Sequence, residues 1–181
     1  MADPAGKRPG DSHQRRSLLD AEGSFSSLRA ALLSYYPEDV RRRKLAAQCA
    51  LAAQAGQYNY YRCMRRGEEV SAMIALTKFV EHVQAIIFLL NRRYRPYYKW
   101  TQRALEALPV LSRETAPLIR RLTSPDGKRA QTIETICAHI IQELKRQGLS
   151  DSGSDFLLDH ARCIQAGIED KTLRSAQLFQ E

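Results

Sequence analysis

Glu68-Glu69-Val70-Ser71-Ala72-Met73-Ile74-Ala75-Leu76-Thr77-Lys78-Phe79-Val80-Glu81-His82-Val83-Gln84-Ala85-Ile86-Ile87-Phe88-Leu89-Leu90-Asn91-Arg92 is the longest and most apolar run of the chain, and its reading decides the fold. Val70, Met73, Ile74, Thr77, Val80, Val83, Ile87, Phe88 and Leu90 recur at the spacing of one helix face, and further apolar positions widen that face. The run predicts a central helix over 68–92. Within it Lys78, Glu81, His82 and Gln84 interrupt the apolar stretch, which excludes an ordinary membrane span. Lys78 and Glu81 are neighbours on one helix face. Burying a lone charge costs on the order of several kcal/mol, so this step is either a structural ion pair or part of a polar pocket between helices.

Upstream, residues 1–24 are rich in Gly, Ser, Asp and Arg without periodicity and are expected to form a disordered leader. A short helix is expected from Phe25 to Ser34, interrupted by Tyr35-Tyr36. Pro37 suits the first turn of the next helix, and Glu38 and Asp39 favour its positive end. That helix runs toward Gly56, with Val40, Lys44, Leu45, Ala47, Leu51 and Ala52 near helical spacing. Downstream of the central run, Tyr94-Arg95-Pro96 breaks the chain. Helices follow over Tyr97–Leu108, Ser112–Leu122, Lys128–Gln147 and Asp155–Ile168, then a short closing turn of helix. Ser124-Pro125-Asp126-Gly127 reads as a turn, and Gly148 as a helix cap. Helices joined by short connections predict an all-α, antiparallel up-and-down bundle over 25–176, with 177–181 as a tail.

Composition agrees: 9 Gly and 7 Pro among 181 residues, with 44% hydrophobic residues, suit a helical core. The 28 Lys and Arg against 20 Asp and Glu give a net charge of +8, which favours anionic partners. Lys7, Arg8, Arg15 and Arg16 lie in the leader, so the folded part is only moderately basic. Cys49, Cys63, Cys137 and Cys163 have no paired spacing, and a reducing cytoplasm is the expected setting.

Two aromatic–basic runs flank the central helix: Gln57-Tyr58-Asn59-Tyr60-Tyr61-Arg62-Cys63-Met64-Arg65-Arg66 and Asn91-Arg92-Arg93-Tyr94-Arg95-Pro96-Tyr97-Tyr98-Lys99-Trp100. Arginine binds phosphate bidentately, and tyrosine and tryptophan stack on rings. The competing reading has aromatics capping the core under solvated arginines. The expected site gathers Tyr58, Asn59, Arg62, Arg65, Lys78, Glu81, Asn91, Arg93, Tyr94, Tyr97, Lys99 and Trp100. Arginines and Lys99 would take phosphate, the rings would stack, and Asn59 and Asn91 would orient the ligand. His160 and Cys163 share a helix face but have no second pair at ligand spacing, so neither metal nor cofactor is expected. Asp155 and Asp159 suit cap and first-turn roles. No phosphate-binding loop, dinucleotide fingerprint or nucleophile elbow occurs.

Tyr36-Pro37-Glu38-Asp39-Val40, Gly56-Gln57-Tyr58-Asn59-Tyr60 with Arg62-Cys63, Leu89-Leu90-Asn91-Arg92-Arg93-Tyr94 and Pro96-Tyr97-Tyr98-Lys99-Trp100 resemble the domain of unknown function DUF4037. So do Leu108-Pro109, Gln131-Thr132-Ile133 and Ile168–Arg174. The resemblance implies a helical domain of the kind that follows a nucleotidyltransferase-type domain and completes its substrate cleft. It supplies no catalytic residue. Nucleotidyl transfer needs a Gly-Ser turn and an Asp-x-Asp pair for magnesium, and neither Gly23-Ser24 nor Gly153-Ser154 leads to one. The expectation is thus a non-catalytic recognition module with a nucleotide or other anionic ligand and a nucleotidyltransferase catalytic partner. A protein–protein adaptor is the alternative, and a non-specific nucleic-acid binder a lesser one. A helical ribonuclease reading fails, because the one Arg-x4–6-His spacing, Arg8 to His13, contains Pro9-Gly10.

Overall fold

The computed structural model describes residues 23–124 and 127–179. The expected leader lies outside the described residues except for Gly23 and Ser24, as do Pro125 and Asp126 of the expected turn and the last two residues of the tail. The chain divides into two compact units between Tyr35 and Tyr36. The described part of the first is helix α1 (Ser24–Leu33), whose first turn is closed by the Ser27 amide and hydroxyl, both donating to the Gly23 carbonyl.

The second unit is all-helical: α2 (Glu38–Ala52), a π-helix (Ala53–Tyr60), α3 (Tyr61–Arg65), α4 (Glu69–Leu90), α5 (Tyr98–Glu106), α6 (Ser112–Arg121), α7 (Arg129–Arg146), α8 (Leu157–Ala166) and α9 (Lys171–Ser175). No strand occurs among the described residues. From α3 to α8 each helix packs on the next, and α8 returns to lie on α2. Leu45, Phe79, Val83, Ile86, Ile87, Leu105, Ile136, Ile140, Leu144 and Leu157 form the centre of the core. Cys49 and Cys137 are buried there as free thiols, and burial pushes both thiols well up.

The expected end of the second helix near Gly56 is not observed. α2, the π-helix and α3 form one continuous rod to Arg65, and the aromatic–basic stretch Gln57–Arg66 is helical nearly throughout. Gly56 does not reverse the chain. It lies against the Phe79 ring so closely that a Cβ there would meet Phe79 Cδ2 at 2.3 Å. The rod ends instead at Gly67 (φ 72°), where the Glu68 amide returns to the Cys63 carbonyl.

The long helix is where the apolar run placed it, and Val83, Ile87, Phe88 and Leu90 are buried as expected, but over its N-terminal half the inward face is rotated. Ala72, Ala75, Leu76 and Phe79 are buried, whereas Val70, Met73, Ile74 and Thr77, expected inside, are exposed. Small side chains on the π-helix (Ala53, Ala55, Gly56) bring it close to α4, and that approach selects the alanine-lined side of α4 as the contact face. Among the described residues α4 is the one helix long and apolar enough to cross a membrane, and 56% of its apolar window is buried in the bundle.

A carboxylate hub ties the start of α2 to its neighbours. Glu38 accepts from Arg41 through both oxygens (2.6 and 3.0 Å), from Arg42 (3.1 Å), and pairs with Arg92 past the end of α4 (2.9 Å). The Arg41 hydrogen bonds, with that of Arg42, outweigh burial and hold the Glu38 carboxyl down at about 2. Asp39 accepts from the amides of Glu169 and Asp170, and Arg42 reaches the Gly167 carbonyl, which docks the end of α8 and the start of α9.

Candidate functional site

A cleft of about 540 Å³ lies between α2 and the C-terminal half of α4. α2 supplies Arg43, Lys44 and Gln48, and Tyr36 precedes it. The break after α4 supplies Arg93, Tyr94 and Arg95, and Leu173 and Ala176 complete the wall. The break is built by Arg92, which adopts φ 52°, and the Arg93 amide, which returns to the Phe88 carbonyl. That geometry ends α4 and turns Arg93, Tyr94 and Arg95 back along it.

Four cations and no carboxylate line this cleft. Tyr36 and Tyr94 meet edge to face at 4.9 Å, and the Lys44 ammonium sits 5.3 Å from the Tyr36 ring. Arg43 donates to the Gln177 carbonyl (2.5 Å), and Arg95 pairs with Glu81 (3.6 Å). No hydrogen bond or ion pair reaches the Arg93 guanidinium among the described residues. An excess of cations beside two rings is the chemistry of an anion site with a stacking component.

A second cleft, of about 620 Å³, lies between the π-helix and the N-terminal half of α4. It brings together Asn59, Lys78 and Glu81 from the expected set, with Gln54, Cys63 and His82. Lys78 and Glu81 do not form the structural ion pair held open above. Both are exposed; Glu81 takes Arg95, and Lys78 has no partner among the described residues.

The remaining expected residues go elsewhere. Arg62 donates to the Tyr58 hydroxyl (2.8 Å) and lies over its ring (4.7 Å). Arg65 lies over Tyr61 (5.7 Å). These are one-turn pairs on an exposed face, outside both clefts. Tyr97 packs beside Tyr98 and Trp100 in an exposed cluster at the start of α5, and Lys99 is exposed beside them, none lining either cleft. Asn91 has a structural task instead of ligand orientation. Its amide donates to the carbonyls of Ile87 (2.7 Å) and Val110 (3.0 Å) and accepts from the Val110 amide (3.0 Å), clamping the loop before α6.

Residues that sequence reasoning missed include Tyr36, Arg43, Lys44, Gln48 and Arg95 in the first cleft and Gln54, Cys63 and His82 in the second. No local signal singled them out: Lys44 and Gln48 are one turn apart on α2, but Arg41, Arg42 and Arg43 beside them are equally polar. Gln57, which opens the first aromatic–basic run, has a structural task. It spans from the π-helix to α8, accepting from the Leu157 amide (2.9 Å) and donating to Glu134 (2.8 Å) and the Asp155 carbonyl (3.0 Å). His160 donates from Nε2 to the Ser154 carbonyl and holds the Ser150 hydroxyl at Nδ1, both at 2.8 Å, so both of its nitrogens serve the loop before α8. Among the described residues no group of three or more His, Cys, Asp or Glu is placed to hold a metal ion.

What the helices and clefts define is an all-α bundle domain without strands in its described residues. Residues 11–101 match the family model of the domain of unknown function DUF4037, and the chain belongs to that family. The matched stretch contains α2, the π-helix, α3 and α4, and so the two helical walls of both clefts. The likeness noted in the sequence beyond Thr101 lies outside it. No curated protein and no solved structure matches the chain.

Proposed function

We propose that this domain is a non-catalytic recognition module that binds a phosphate-bearing, nucleotide-like ligand in the cleft between α2 and α4. It would serve a cytoplasmic nucleotidyltransferase-type system whose catalytic groups come from a separate domain or partner. One observation carries the reading: four cationic side chains and two tyrosines surround the cleft with no carboxylate among them, and the Arg93 guanidinium there has no partner among the described residues. In water an isolated cluster of this sign is unfavourable to itself, and an anion relieves it. Leu173 and Ala176 close one side, which makes the space a cleft and not a flat basic face.

Calorimetry with pyrophosphate and nucleoside triphosphates tests the reading. The wild-type chain is expected to bind, and a Lys44→Ala, Arg93→Ala double variant to bind at least about tenfold more weakly, since a hydrogen bond to a charged group contributes about 1.5–3 kcal/mol. Both side chains are exposed, so the melting temperature should stay in place. A wild-type chain that binds none of these compounds, or a double variant that binds as well, ends the proposal.

The exposed cluster of Tyr97, Tyr98 and Trp100 supports a second reading, an adaptor that docks a protein partner. In that case the double variant would keep its partner, and changes at Trp100 would lose it.

A further inference from the structure

The cleft between α2 and α4 lies next to the cleft beside the π-helix along the same two helices. On the continuous rod, Lys44, Gln48, Leu51, Ala55 and Asn59 follow at three- and four-residue spacing along one stripe. On α4, Ile74, Lys78, His82, Ala85 and Leu89 do the same. Two contacts divide the groove between these stripes. Arg95, which lines the first cleft, pairs with Glu81 of the second, its Nη1 also donating to the Glu81 carbonyl (3.1 Å). Gln48 of the first cleft accepts from the His82 ring of the second (2.8 Å). The clefts are therefore separated by a single layer of side chains.

Their chemistries differ. The first concentrates positive charge. The second has one cation, Lys78, one carboxylate, Glu81, two side-chain amides, Gln54 and Asn59, and an apolar wall that includes Leu51 and Ile74. A second phosphate would face the Glu81 carboxylate there, which disfavours it. Amides and an ammonium above an apolar wall suit a neutral, flat group with hydrogen-bonding edges. No partner among the described residues reaches the side chains of Gln54, Asn59 or Lys78. Lys78 and Ala85 are about 10 Å apart along the α4 axis, a separation one nucleotide can bridge.

We infer that the second cleft is a nucleobase site. It would hold the base of the ligand whose phosphates lie against Lys44 and Arg93, with Leu51 and Ile74 against the ring and Asn59 and Lys78 at its edge. The inference rests on the phosphate-binding reading above and adds the ligand's second half and its direction along the groove.

The experiment compares inorganic tripolyphosphate with the four common ribonucleoside triphosphates by calorimetry, on the wild-type chain and on an Asn59→Ala, Lys78→Ala variant. At least one nucleotide is expected to bind about tenfold more tightly than tripolyphosphate, the effect of one or two well-placed hydrogen bonds. The variant should lose that gain and keep the tripolyphosphate affinity. Should Asn59→Ala lower the melting temperature, the exposed single change Lys78→Met repeats the measurement and should still reduce the gain. Tripolyphosphate binding with no gain from any base overturns the base site alone. Failure of all five compounds to bind overturns the phosphate reading with it.

Discussion

The two aromatic–basic runs have nearly the same composition, and the structure treats them in opposite ways. In Gln57–Arg66 the backbone stays helical, so tyrosine and arginine one turn apart find each other: Tyr58 with Arg62 and Tyr61 with Arg65. Their cations are occupied within the run, and Gln57 and Tyr60 turn inward as structural groups. In Asn91–Trp100 the backbone is broken at Arg92 and Pro96, and the side chains between them leave the helix axis. Arg93, Tyr94 and Arg95 then reach a cleft whose other wall is α2. An unbroken helix pairs its own charges along one face, whereas a chain break delivers them to another element. For recognition surfaces on helical bundles, the residues after a helix end therefore carry more weight than an equally basic stretch inside one.

The strongest way to break this contrast is at Gly56, since the first run is held in place by the contact between the π-helix and α4. A Gly56→Ala side chain would meet the buried Phe79 ring at 2.3 Å and at 2.7 Å, and Phe79 has no free space to retreat into. The expected loss is about 1–3 kcal/mol, the usual penalty for overpacking a close-packed core, with a melting temperature lower by several degrees. Base-dependent ligand gain should weaken with it, because Asn59 lies one turn along the same π-helix. An unchanged denaturation midpoint would show that the close approach of the π-helix to α4 is not needed.

A smaller effect sharpens the other side of the comparison. Arg92, at the break that opens the second run, is anchored by Glu38, which also holds Arg41 and Arg42. The Glu38 carboxyl is held at about 2 against an ordinary 4.5, chiefly by the Arg41 hydrogen bonds. A depressed acid stabilises the fold fully above its unfolded value, and that stabilisation is lost as pH falls through the folded one. Wild type should therefore exceed Glu38→Gln in stability at neutral pH, with the margin shrinking below about pH 4.5 and gone near pH 2. Denaturant melts across that range check it. A margin independent of pH would mean that Glu38 acts by shape and not by charge.

Much of the architecture was readable because it depends on period and punctuation. In α7, Ile133, Ile136, Cys137, Ile140, Ile141 and Leu144 sit at helical spacing, and all are buried. Gly67 and Gly148 stop helices in the left-handed conformation that glycine permits. The π-helix was not readable. Its wider turn shifts each side chain relative to a 3.6-residue repeat, and Gly56 resembled a stop signal when it was a contact point. The same close contact turned Val70, Met73 and Ile74 outward, a choice set by the neighbouring helix and not by α4 itself. In the site, Arg93 and Tyr94 were identifiable by type, and Asn59, Lys78 and Glu81 by their shared polarity. Arg43 and Lys44 were hidden in the basic run Arg41–Lys44, whose members go to different partners, since which of them lines the cleft depends on where α4 ends. Asn91 was misassigned because an amide that clamps a loop and one that orients a ligand are the same residue type.

The smallest predicted effect is the most specific to the contrast. Arg62 and Arg93 are both exposed arginines from tyrosine-rich runs, and composition alone would give them the same weight. Arg62 stacks on Tyr58 and donates to its hydroxyl, an exposed pair within one helical turn that contributes at most about 0.5 kcal/mol. Arg62→Ala should leave the melting temperature within about a degree or two and leave phosphate binding untouched. Arg93→Ala, equally harmless to the fold, should weaken phosphate binding. Equal losses of binding in the two variants would mean that the chain responds to overall positive charge, as a non-specific polyanion binder does, and that the backbone break at Arg92 confers no selectivity.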